Sequence, residues 1–168
     1  MVAAPSSGTA TVTIPSDEQI LITREFDASK HLVYRAWTTP ELVKRWSSGH
    51  RGKVTLAEID LRVGGTWRFV MTATGGFEVA FHGEYREIVP NERIVTTQVY
   101  EVPEAETLPE EEAPLNIVTF TEVDGRTILT LLMQTTSKEL RDAIINSGME
   151  VGMQEQMDLL DQIAISLR

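Results

Sequence analysis

The chain has 168 residues, a length that suits one domain and allows a sizeable core without covalent staples. Hydrophobic residues make up 42%, which excludes a disordered chain, and the absence of cysteine excludes disulfides and thiolate metal sites and fits a reducing, cytoplasmic compartment. A formal charge of −10 repels nucleic-acid phosphates and anionic lipid headgroups, so neither nucleic acid nor a membrane surface is expected as a partner.

Residues 1–18 read as a flexible N-terminal tail or an extra edge strand, rich in Ala, Ser, Thr and Pro, with weak alternation from Thr9 to Ile14. The stretch lacks the basic start and apolar run of a signal peptide, and no later run approaches membrane-spanning length, so no membrane insertion is expected. The remaining 19–168 form the domain. Gln19 to Asp27 reads as the first strand. Ser29 offers an N-cap, and Leu32, Val33, Ala36 and Trp37 recur at helical spacing. Thr39-Pro40-Glu41 restarts a helix, with a cap, a proline at the first helical position and an acid for the dipole; Leu42, Val43 and Trp46 form its apolar side.

Val54 to Leu61 reads as a strand, and Gly64-Gly65 as a turn. Thr66 to Ala73 alternates with Trp67, Phe69 and Met71 on one face, and after Gly75-Gly76 a long strand carries Phe77, Val79, Phe81, Gly83 and Tyr85 on one face. Pro90-Asn91 turns the chain into Arg93 to Glu101, with Ile94, Thr96, Gln98 and Tyr100 sharing a side. Val102 to Pro114 is too dense in glutamate and proline to pack and reads as an exposed loop. Leu115 to Val123 and Arg126 to Thr135 form a hairpin through Asp124-Gly125. Ser137 caps a short helix that Gly148 ends or bends. Met149, Met153, Met157, Leu160, Ile163, Ala164 and Leu167 then step by three or four along a helix of roughly 30 Å. Sequential antiparallel strands with segregated helices define an α+β domain.

Four motifs carry a family resemblance: Ala36 to Leu42 (AWTTPEL), Val63 to Phe69 (VGGTWRF), Gly83 to Arg93 (GEYREIVPNER), and Ser147 to Glu150 with Gly152-Met153. In this order the chain, from about Ile20 to Leu167, resembles the START-like superfamily (SRPBCC, Bet v 1-like), and within it the bacterial branch related to the activator of the heat-shock-protein-90 ATPase. The resemblance implies a helix-grip fold: a curved antiparallel sheet of about six or seven strands around the long C-terminal helix, with two short helices after the first strand and a cavity between. It brings no shared catalytic residue. Relatives often carry a second aromatic after the position of Trp46, followed by Gly-Pro, where this chain has Ser47-Ser48-Gly49-His50; they often carry Tyr at the position of Met157.

On that fold, Trp67, Phe69, Met71, Phe81, Tyr85, Gln98 and Tyr100 are expected on the concave face, with Met149, Met153 and Met157 opposite and Trp46 beside them. A mostly apolar lining with a few polar groups suits a small hydrophobic ligand, and methionine adapts to varied shapes. The leading expectation is a non-catalytic carrier or sensor; the alternatives are a cyclase or hydrolase using the same cavity, for which Tyr85, Tyr100, Glu84 and His82 are the available actors, or a chaperone-associated interaction module docking through the glutamate-rich loop. His82 and Glu84 share a strand face and are placed on the convex side near Arg68. Of Arg24, Arg62, Arg68 and Arg86, one turned inward would grip a ligand carboxylate, whereas outward ones would pair with Glu84 or Glu58. Gly148 and Gly152 read as a bend or close approach at the cavity mouth, either a gate or a helix junction. His31, His50 and His82 have no metal-ligand spacing, the Gly-Gly pairs lack phosphate-loop context, and no cofactor is expected. Sheet edges and the tail leave a homodimer open.

Overall fold

The computed structural model describes residues 10–50, 52–101 and 109–168. The first nine residues of the tail and residues 102–108 of the acidic loop therefore lie outside the described residues. In chain order the elements are β1 (Thr11–Thr13), β2 (Gln19–Phe26), α1 (Lys30–Thr38), α2 (Pro40–Trp46), β3 (Gly52–Ile59), β4 (Thr66–Ala73), β5 (Glu78–Val89), β6 (Arg93–Thr97), β7 (Val99–Glu101), β8 (Leu115–Val123), β9 (Arg126–Gln134), α3 (Lys138–Asn146) and α4 (Met149–Ser166). The strands form one antiparallel sheet in the order β1-β2-β9-β8-β6-β5-β4-β3, with β7 also paired to β5.

The sheet has nine strands for two reasons. The weak alternation near the N-terminus does form an edge strand, β1, on β2. The expected strand Arg93 to Glu101 is interrupted at Gln98, so that β6 pairs with the C-terminal half of β5 and β7 with its N-terminal half. Gly83 makes that bend possible. A Cβ there would lie 1.9 Å from the Thr97 carbonyl oxygen and 2.6 Å from Trp67 Nε1, so any side chain would hold the two segments apart. The Thr97 hydroxyl accepts from the Glu84 N–H at 2.9 Å and closes the corner, and a register shift between Tyr85 and Glu87 adds to the curl. Asp124 and Gly125 both have positive φ, the backbone that a two-residue hairpin requires.

One end of the interior is filled. Every second residue of β2 (Ile20, Ile22, Arg24 and Phe26) is buried, and α4 lays Met153, Met157, Leu160, Ile163 and Ala164 into the same core. Arg24 is 1% exposed, and it is the inward-turned arginine. Its guanidinium meets Asp158 at 3.0 Å and Asp161 at 3.6 Å on α4 and lies 5.2 Å from the centre of the Phe26 ring. Two carboxylates and a ring face offset the burial of the cation and tie α4 to β2, although Arg24 Nε itself is buried without a partner. Gly148, in the left-handed conformation, separates α3 from α4, and α4 runs unbroken through Gly152.

Candidate functional site

Beyond that end, a cavity of about 170 Å³, partly open to solvent, lies between the sheet and the helices. Its floor follows from strand alternation. On β4, Trp67, Phe69 and Met71 share the concave face; Phe81 and Tyr85 continue it on β5, and Phe69 stands directly opposite Phe81. The wall then crosses Ile94, Thr96 and Gln98, and passes to Asn116 and Val118 on β8 and Leu131 on β9. The roof comes from Trp37, Trp46 and Ser47 at the two short helices and from Gln156 on α4. The rings brace one another: Trp67 and Phe69 have centroids 4.9 Å apart, and Trp37 and Trp46 5.0 Å.

Polar groups of the lining residues fall into two sets. Trp46 Nε1 donates to the Ala36 carbonyl at 3.0 Å, the Asn116 amide donates to Gln98 Oε1, and Gln156 donates to the Ser47 carbonyl. The Ser47 hydroxyl, Trp67 Nε1 and Asn116 Oδ1 are buried without a protein partner. Burial first, and then interaction with the Tyr34 phenol and the Asp60 carboxylate, pushes the Tyr85 phenol far above its ordinary range, so it stays protonated. No charged side chain lines the cavity among the described residues.

Of the residues expected from sequence, Trp46, Trp67, Phe69, Met71, Phe81, Tyr85 and Gln98 stand at this cavity. Tyr100 does not line it. It stacks on Phe81 with centroids 4.8 Å apart, on the same face but further out, and is 50% exposed. The three methionines also stand elsewhere. Met153 and Met157 are buried in the core and Met149 packs against it, so the α4 residue at the wall is Gln156. α4 is tied to β2 through Arg24, and near α2 it is Gln156, donating to the Ser47 carbonyl, that borders the hollow, while the apolar stripe packs into the core. Sequence reasoning missed Trp37, Ser47, Asn116, Val118, Leu131 and Gln156 as lining residues. Ile94 and Thr96 were legible, since they alternate with Gln98.

The remaining candidates point away. His82 Nδ1 lies 2.7 Å from Glu101 Oε2, and Arg68, its cross-strand partner, lies 3.4 Å from the same oxygen. Burial works to raise the Glu101 carboxyl, but the bonds from His82 and Arg68 outweigh it and hold the group below the usual range. Glu84 pairs with Arg86 at 2.9 Å and Arg62 with Asp60 at 2.8 Å. Glu111 and Glu112 are exposed.

A curved antiparallel sheet closed by a C-terminal helix over a small cavity is the helix-grip architecture. The family described as activator of Hsp90 ATPase homolog 1-like protein matches residues 27–164, and the chain belongs to it. Similar solved structures include a Rhodobacter sphaeroides protein (TM-score 0.83, 23% identity, 95% of this chain and 100% of that one). Protein Ms6760 from Mycobacterium smegmatis is comparable (0.82, 21%, 95% and 100%), and an AHSA1-like protein from Aeromonas hydrophila also matches (0.63, 18%, 88% and 93%). At these identities the likeness establishes the fold. No functionally curated protein matches the chain. Among the described residues no helix is long and apolar enough to cross a membrane.

Proposed function

We propose that this protein is a non-catalytic carrier or sensor that binds a small hydrophobic molecule in its internal cavity, and that it does so in the cytoplasm. The observation that carries this reading is the hollow itself: about 170 Å³ left open between aromatic walls, when the neighbouring β2–α4 region is filled. Interiors ordinarily pack to crystal-like density, and an apolar void forfeits contacts on every wall. A cavity of roughly 150 Å³ with apolar walls is known to accept benzene, so the volume here suits a ligand of one or two small rings rather than a long-chain lipid. Of the four groups available for acid–base work, only Tyr85 stands at the cavity, and its proton is held firmly. That favours binding over chemistry.

Thermal unfolding in the presence of indole, naphthalene and short terpenoids tests the reading. A ligand at 100-fold excess over its Kd should add about 2.7 kcal/mol to stability. The reading falls if none of these raises the melting temperature at its solubility limit.

A further inference from the structure

The aromatic row on the concave face continues past the end of the cavity. Trp67 and Phe69 have centroids 4.9 Å apart on β4, and Phe69 stands directly opposite Phe81 on β5. Phe81 in turn stacks on Tyr100 of β7, its cross-strand partner, at 4.8 Å with the planes 25° apart. Solvent access rises along the row: Trp67 is 8% exposed, Phe69 and Phe81 are half-buried, and Tyr100 is 50% exposed. The first three rings line the cavity. Tyr100 adjoins two lining residues, Phe81 across the strands and Gln98 two positions back along the chain. Of the exposed large hydrophobic side chains among the described residues, it is the one in ring contact with the cavity wall. The Phe81 ring covers one side of it and the other is open to solvent. Stacking already fixes the orientation of the Tyr100 ring, so little freedom is lost when another ring settles on it.

Resting on the cavity reading above, we infer that the ligand is an elongated, uncharged molecule with two separate flat rings, one seated in the hollow and the other on the exposed side of Tyr100. Phe69, Met71 and Phe81 hold the inner ring. Phe81 and Tyr100 are only 4.8 Å apart, so the link between the two rings is short. A flexible alkyl tail in the outer position gains no stacking.

The test titrates the protein, followed by NMR, with one single-ring probe and three two-ring probes: anisole, then diphenyl ether, benzyl phenyl ether and dibenzyl ether, whose links are one, two and three atoms long. The best of the three should bind about tenfold more tightly than anisole. The Tyr100 ring resonances should move several-fold further with it than with anisole. Tyr100→Ala should weaken that ether about three- to tenfold and leave anisole within about twofold, whereas Tyr100→Phe, which keeps the ring, should retain the advantage of the ether. Anisole binding as tightly as every ether, Tyr100 resonances that stay still with the ethers, or equal losses of ether and anisole in Tyr100→Ala overturns the inference and leaves the cavity reading standing. The wild-type resonances decide if Tyr100→Ala does not fold. Binding of indole or naphthalene with no response to any ether also overturns the inference. Failure of every compound in both panels overturns both readings.

Discussion

Along β2 every second side chain is buried, and Ile20, Arg24 and Phe26 are almost wholly so. Across β4, β5, β6 and β8 the corresponding faces hold the larger rings of the molecule and still enclose a hollow. Both regions belong to one continuous sheet and one contiguous core, so the difference is not one of composition alone. It arises where the sheet bends at Gly83 and the short helices α1 and α2 cross over it, keeping the roof clear of the floor. Stability and site are thus assigned to different ends of one interior: dense packing and the Arg24 ion pairs hold the helix, and the curled end is free to leave volume.

Truncation should expose that asymmetry most strongly. Phe26→Ala removes a ring from the filled end and should cost about 4 kcal/mol, the usual scale for a buried aromatic whose surroundings cannot collapse. Phe69→Ala removes the same atoms from a residue that already borders open space, and should cost less than about 2 kcal/mol. Denaturant midpoints of the two variants measure the difference, and equal losses would mean that the curled end is packed as firmly as the other.

Enlargement asks the converse question with a smaller expected effect. Val33 on α1 is fully buried, and Val33→Phe should cost about 2 kcal/mol through overpacking. Val118 is just as well shielded from solvent but borders the hollow, so Val118→Phe has room for its ring and should shift stability by less than about 1 kcal/mol. The same variant should lose the thermal response to cavity ligands, which ties the space to the binding.

How much of this was legible in the chain depends on the range of the interaction. Period-two alternation placed Trp67, Phe69, Met71 and Phe81 on the concave face, and turn chemistry at Asp124-Gly125 set the hairpin. The apolar stripe of α4 was equally plain, yet its rotation over the sheet was not. The contacts that seat it include Arg24 reaching Asp158 and Asp161 more than 130 positions away, a pairing that local spacing cannot show. Hence the methionines were expected in the wall and Gln156 was not. Asn116 was hidden for a similar reason: it reads as one polar residue in an alternating strand, and only the register with Thr96 carries it to the cavity wall. Ser47 was visible only as a departure from the aromatic that relatives carry after Trp46.

The convex face offers the weakest perturbation and the one that separates surface from interior. Glu101 accepts from His82 and Arg68 there, half in solvent, and its carboxyl is held below its ordinary range. A carboxyl depressed in the folded state contributes stability that is complete above the unfolded-state value of about 4.3 and fades as pH falls through the folded-state value. Because these partners are partly exposed, the contribution should be no more than about 0.5 kcal/mol after solvent screening. Glu101→Gln should therefore lower the unfolding free energy by that small amount at neutral pH and converge with wild type in acid. Its affinity for cavity ligands should not change, since His82, Glu101 and Arg68 lie across the sheet from the hollow. A loss of ligand affinity in this variant would show that the two faces of the sheet are coupled.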